Sequence, residues 1–172
     1  TLDVLLDQIS NITRSTLESV QAIKTIQENN GEEGANRYII SNNESALNVM
    51  ETFAMIRLND WEDPTVDIIP LFESVDDLQN AHSIMEQLYT NPEYSKHLQA
   101  RGNKQTIMLG FSDGTKDGGY LMANWSIYQA KISLTEISRK YGIKAIFFDW
   151  RGGPPARGGG KTHKFYASLG PK

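Results

Sequence analysis

The sequence predicts an α/β fold built on a parallel sheet. Four short apolar runs, Tyr38–Ile40, Val66–Phe72, Thr106–Phe111 and Lys144–Phe148, are separated by stretches with helical periodicity. Strands joined through crossover helices run parallel to one another. The runs end near residues 41, 73, 113 and 149, a repeat of 32 to 40 residues. That repeat fits four βα units, either of an open doubly wound sheet or of half an eight-stranded barrel.

Each element has a local reason. Leu2, Leu5, Leu6, Ile9, Leu17, Val20, Ile23 and Ile26 recur at helical spacing, so the first 28 residues read as one amphipathic helix or a helix pair. Asn29-Asn30-Gly31 ends it, and residues 32–36 read as polar loop. Ser41-Asn42-Asn43-Glu44 is a capping-box candidate for a helix from Ala46 to Leu58. Ser74 with Asp77 can cap a helix reaching Leu88 or Tyr89. Asn91-Pro92 starts a short helix, with Asn as N-cap and Pro at the first helical position. Residues 119–141 predict a long helix stopped by Gly142.

Composition bounds the function classes. The chain has 172 residues, 39% hydrophobic and 22% charged, an ordinary globular balance. It has no cysteine, which excludes a disulfide framework, a thiolate metal site and a cysteine nucleophile. No apolar run approaches the roughly 18 residues of a membrane span, and no signal peptide is visible, so a cytoplasmic protein without membrane partner is expected. The net charge of -4 argues against nucleic-acid binding. The charge is uneven: residues 1–150 carry 12 basic and 21 acidic side chains, residues 151–172 five basic and none acidic. The chain opens on Thr1 inside a helical pattern and is expected to be an excised piece.

In parallel α/β folds the chemistry gathers where strands hand over to helices. The first handover carries Ser41 and Asn42. Glu73 follows the second run and Asp113 the third, within Ser112-Asp113-Gly114-Thr115-Lys116-Asp117. Two carboxylates at successive strand ends suit Mg²⁺ or Mn²⁺, which take hard oxygen ligands. The same acids would also serve as helix N-terminal caps. Lys116 either holds an anion beside the metal or is a solvated turn lysine.

The fourth handover leads into Arg151-Gly152-Gly153-Pro154-Pro155-Ala156-Arg157-Gly158-Gly159-Gly160. Glycines expose backbone N–H groups, and two arginine forks suit bidentate phosphate or carboxylate contacts. The segment reads as an oxyanion cradle rather than a plain exposed loop. Gly160-Lys161-Thr162 is not a phosphate-binding P-loop, because Pro155 stands where that motif needs glycine. His82 and His97 are expected to be ordinary helix residues, and Trp61, Trp125, Met85 and Met122 packing residues.

Three ordered blocks now carry a resemblance. Pro70-Leu71-Phe72-Glu73-Ser74-Val75-Asp76-Asp77-Leu78, Met108-Leu109-Gly110-Phe111-Ser112-Asp113-Gly114-Thr115-Lys116-Asp117-Gly118-Gly119 and Arg151-Gly152-Gly153 with Arg157-Gly158-Gly159-Gly160 resemble successive blocks of phosphoenolpyruvate carboxylase. The likeness runs from about Arg37 to the C-terminus. It implies a partial (β/α) barrel of about four βα units on residues 37–172, preceded by a helical segment on residues 1–36. It implies carboxylation of phosphoenolpyruvate by bicarbonate, giving oxaloacetate and phosphate, with Mg²⁺ or Mn²⁺. It further implies that Glu73 and Asp113 are metal carboxylates and that Lys116, Arg151 and Arg157 are catalytic. Gly152, Gly153, Gly158 and Gly159 become substrate-binding positions. The implied partners are an aspartate-type inhibitor at Arg157, the remainder of a full-length chain, and further copies in a homo-oligomer.

The chain also departs from that family. Phe148-Asp149-Trp150 stands where Phe-His-Gly is common, and Pro154-Pro155-Ala156 stiffens the loop. The family's Thr-Ala-His-Pro-Thr-Glu segment is absent, and Ala81-His82-Ser83 does not replace it. The 172 residues alone are therefore expected to be inactive. The rival readings are a non-catalytic anion-binding or regulatory module and a structural fragment.

Overall fold

The structure, a computed structural model, describes residues 10–150, 160, 161, 163, 164 and 167. Helix α1, Asn11–Asn30, is capped by Ser10, whose hydroxyl accepts from the Thr13 N–H at 3.2 Å, and it ends at Gly31. The predicted positions Leu2, Leu5, Leu6 and Ile9 lie outside the described residues. The expected loop at 32–36 contains a short 3₁₀ turn, Glu32–Gly34.

Four βα steps follow. They are strand β1, Arg37–Ile40, with helix α2, Ala46–Arg57; strand β2, Asp67–Phe72, with helices α3, Val75–Thr90, and α4, Pro92–Ala100; strand β3, Lys104–Gly110, with helix α5, Ser112–Lys140; and strand β4, Lys144–Trp150. The caps expected at Ser74 and Asn91 form. Ser74 Oγ accepts from Asp77 N–H at 3.0 Å, Asp77 Oδ2 accepts from Ser74 N–H at 2.9 Å, and Asn91 Oδ1 accepts from Glu93 N–H at 3.0 Å. The cap expected at Ser41 does not form. Asn42 takes a left-handed turn at φ 52, and Ser45 is the cap of a helix that starts at Ala46 as expected, with Asn48 Oδ1 accepting from Ser45 N–H at 3.0 Å.

The strands lie in the order β1-β2-β3-β4, and every neighbouring pair is parallel. A doubly wound sheet reverses strand order at a switch point. This sheet never reverses, and its two faces differ. Tyr38, Ile40, Ile68, Phe72, Ile107, Leu109 and Phe147 point into the main core, where they meet Phe53, Met85, Leu88 and Leu134 from the helices. On the opposite face Ile69, Leu71 and Met108 form a second, smaller cluster. Ile39, Ile146, Phe148 and Trp150 extend it and are exposed. Sequential parallel strands with helices on one side are the arrangement of part of a β/α barrel, which settles the alternative the repeat length left open.

Two buried polar links fix the layers. Tyr94 O–H donates to Gln105 Oε1 at 2.9 Å, and Gln105 Nε2 donates to the Ile68 carbonyl at 3.0 Å, tying α4 to β2 and β3. Burial pushes the Tyr94 phenol far above its ordinary range. Tyr89 and Ser138 share a hydrogen bond of 2.9 Å between α3 and α5, and burial raises the Tyr89 phenol to about 12. Arg101 adds a third link, bridging Asp67 at 2.7 Å and Glu32 at 2.6 Å.

Met85 is fully buried and Trp61 packs on the core as expected, but Trp125 and Met122 are 57% and 47% exposed. They belong to the turns Leu121, Trp125, Tyr128 and Ile132, an apolar stripe on the outer side of α5. Both were expected to pack, because an apolar residue in a helix does not by itself tell a core-facing position from an outward one. None of the described helices is long and apolar enough to cross a membrane.

Candidate functional site at the carboxyl ends of the strands

The ladder sets the geometry. Leu71 pairs with Met108 and Phe72 with Leu109, so Glu73 falls beside Gly110; on the other side Gly110 pairs with Trp150. Side chains alternate along a strand. Glu73, Gly110 and Trp150 therefore share the face that carries Leu71, Met108 and Phe148, the face turned away from the helices.

Gly110 is what lets this row close. A Cβ there would stand 3.2 Å from Glu73 Cα and Cγ and 3.3 Å from Glu73 Cβ. The missing side chain gives Glu73 its seat against the backbone of β3. Glu73 is half-buried, and its N–H donates to Asp77 Oδ2 at 3.2 Å, which orients the start of α3. This glycine was not singled out from the motifs. Its signal was available: a glycine inside an apolar run, one strand over from an acid, marks close backbone approach.

Residues 112–117, expected as a turn, are instead the first helical residues of α5. Thr115 N–H donates to the Phe111 carbonyl at 3.0 Å and its hydroxyl does so at 2.7 Å, closing the first turn. The axis breaks at Gly119, with φ 78 and ψ 170, so the long helix expected from 119 begins beyond a kink. Asp113 and Lys116 sit three residues apart on this turn, a spacing that puts neighbours on one face of a helix. The side chain of Asp113 lies outside the described residues; that of Lys116 is exposed.

Asp149 is held on the helix side of β4, where Lys131 of α5 donates to its Oδ2 at 2.8 Å. The pair is largely withdrawn from water, with side-chain exposures of 29% and 19%. Asp149 thus points away from the Glu73 row. Arg151, Gly152, Gly153, Arg157, Gly158 and Gly159 lie outside the described residues. Among the described residues no group of three or more His, Asp or Glu gathers as a metal cluster. Mg²⁺ does not require one, since it is commonly held by one or two carboxylates with water and substrate phosphate completing the shell. The Glu73 seat fits that chemistry.

A cleft of about 210 Å³ lies at the other end of the sheet, between Phe53, Arg57, Pro64, Thr65, His97 and Arg101. Its arginines are already paired, Arg57 with Glu93 at 3.1 Å and Arg101 with Asp67. His97 is buried against the Phe53 ring, and its pKa is lowered by burial first and by Arg101 second.

The chain was compared with known proteins. Residues 3–169 match the family model described as phosphoenolpyruvate carboxylase. The chain belongs to the phosphoenolpyruvate carboxylase family. A phosphoenolpyruvate carboxylase of Nitrosomonas europaea is 38% identical over 161 residues, which is 90% of this chain and 17% of that protein. One from Mycobacterium leprae is 38% identical over 164 residues, 91% of this chain and 18% of the relative. One from Corynebacterium diphtheriae is 42% identical over 125 residues, 73% of this chain and 14% of the relative. The chain thus spans less than a fifth of the length of these curated relatives.

Proposed function

We infer that the chain is part of an enzyme that carboxylates phosphoenolpyruvate with bicarbonate, giving oxaloacetate and phosphate. The observation that carries this reading is the seat of Glu73 against Gly110 at the ends of β2 and β3, with Asp113 and Lys116 on the start of the helix that follows β3. Family membership supplies the reaction; the seat supplies a reason for these residues.

Glu73 and Asp113 would hold Mg²⁺ or Mn²⁺, which when bound neutralises charge on phosphoryl and enolate oxygens. Lys116 adds a point charge for a carboxylate or phosphate. Arg151 and Arg157 add bidentate forks, and Gly152, Gly153, Gly158 and Gly159 add backbone N–H donors. A bicarbonate oxygen attacks phosphorus, and the bond from phosphorus to the enol oxygen breaks. Carboxyphosphate and an enolate result. Carboxyphosphate then splits to CO₂ and phosphate, and carbon 3 of the enolate bonds to CO₂. The role of the protein groups is to hold reactants in line and balance charge through both steps.

The same reading divides the chain into a helical segment, 1–36, and βα units, 37–172. It includes an aspartate-type inhibitor at Arg157, assembly into a homo-oligomer, a cytoplasmic location and no turnover by the 172 residues alone. The test is oxaloacetate formation, coupled to malate dehydrogenase, by the full-length protein that contains this chain. Turnover should require Mg²⁺ or Mn²⁺, and Glu73→Gln should lower kcat/KM on the order of 100-fold or more. Wild-type activity in that variant would refute the site. Oxaloacetate formation by the 172 residues alone would refute their inactivity.

A further inference from the structure

The row Glu73, Gly110, Trp150 has an unequal profile. It runs from an acid through a position without a side chain to an indole. Adjacent strands are about 4.8 Å apart, so the outer two residues stand about 10 Å apart at their Cα atoms. Gly110 between them carries no side chain, and the atoms nearest to where its Cβ would stand belong to Glu73. Trp150 is held in this row by its backbone, since Phe111 N–H donates to its carbonyl at 3.1 Å. Its ring stands edge-on to Phe148, with centroids 6.1 Å apart and planes at 82°, and 52% of the residue is exposed.

Trp150 lies beside Gly110 in the ladder, and its side chain leaves the sheet on the same face as Glu73. We propose that Trp150 is a specificity-determining wall of the carboxylate site. It bounds the space above Gly110 opposite Glu73, so that small enol phosphates enter and those substituted at carbon 3 are excluded. This rests on the reading of the site given above. An indole suits the role, because a bulky group that would clash with a larger substrate is one way a pocket rejects it. A single extra methyl or methylene group in a closed pocket is discriminated by about 10 to 200-fold.

The experiment uses the full-length protein as wild type, Trp150→Gly and Trp150→Phe. kcat/KM is measured for phosphoenolpyruvate and for its 3-methyl analogue at saturating Mn²⁺. The ratio of analogue to phosphoenolpyruvate should rise at least tenfold in Trp150→Gly and by a smaller factor in Trp150→Phe, which also covers a glycine variant that fails to fold. A ratio within twofold of wild type in both variants overturns the proposal. A second readout needs no turnover. Paramagnetic Mn²⁺ should quench tryptophan emission in the wild type, Mg²⁺ should not, and the Mn²⁺ quench should be markedly smaller in Trp150→Phe. Equal quenching in wild type and Trp150→Phe overturns the placement of the indole. If the wild type does not turn over phosphoenolpyruvate, the functional reading fails by itself. The quench then decides alone whether Trp150 faces the carboxylates.

Discussion

Adding one methyl group at Gly110 tests the geometry of the site directly. In Gly110→Ala the new carbon meets three carbons of Glu73 at 3.2 to 3.3 Å. Carbon atoms prefer separations of about 3.5–4.0 Å. One of the three is Glu73 Cα, which cannot rotate away, so the end of β2 must move by a few tenths of an ångström. Overpacking of this kind costs about 1–3 kcal/mol. At about 2–4 °C per kcal/mol for a chain of this size, the melting temperature should fall by roughly 2–12 °C. Gly34→Ala is the matched control, since nothing lies within 4 Å of a Cβ there. It should stay within about 0.5 kcal/mol of wild type. Urea titration of the chain followed by circular dichroism gives both values. Calorimetric titration of the full-length protein with Mn²⁺ gives the functional half: Gly110→Ala should weaken Mn²⁺ binding and Gly34→Ala should not. Equal stability and equal Mn²⁺ affinity in the two variants would show that Glu73 does not need the bare backbone of β3.

The other predictions concern the scaffold. Tyr94→Phe deprives the buried Gln105 Oε1 of its donor and should cost about 1–3 kcal/mol in urea titration, whereas adding Gln105→Leu should recover part of that loss. A double variant less stable than the sum of the two singles would contradict the network. His97 has its pKa held below 6.5 by burial and Arg101, so as pH falls the unfolded chain takes up its proton first. Stability from this group is complete above pH 6.5 and declines below it, by at most about 1.4 kcal/mol per pH unit. The difference between the urea midpoints of wild type and His97→Gln, followed from pH 7.5 to 5.5, should narrow as pH falls; a constant difference would refute the assignment.

Local chemistry made much of this fold legible. Ser74 with Asp77 and Asn91 with Pro92 announced two helix starts, because a cap is a matter of neighbours in sequence. The four apolar runs became the four strands, lengthened at their polar ends to Arg37, Lys104 and Trp150, where ladder pairing outweighs side-chain preference. The start of α2 at Ala46 was legible, but its cap was assigned to Ser41 instead of Ser45, because Asn42 can take a left-handed turn and nothing nearby distinguishes that from a cap. The start of α5 was placed too late because three glycines mask a helical turn that the Phe111 carbonyl closes. Glu73, Asp113 and Lys116 were singled out from motif order. Their relation to Gly110 and Trp150 was not, because it depends on the register of β2, β3 and β4, and register is a contact between residues about 40 positions apart.

The break at Gly119 makes α5 two rigid pieces sharing one joint. The longer piece is anchored through Ala123, Ile127, Ala130, Leu134 and Ile137 in the main core. The shorter piece carries Asp113 and Lys116. A tilt of the short piece toward a ligand is therefore absorbed as backbone rotation at a single residue and is not levered along the rod. Adjustment at the mouth of the barrel and integrity of its wall are mechanically separate, so residues that set one can change without disturbing the other.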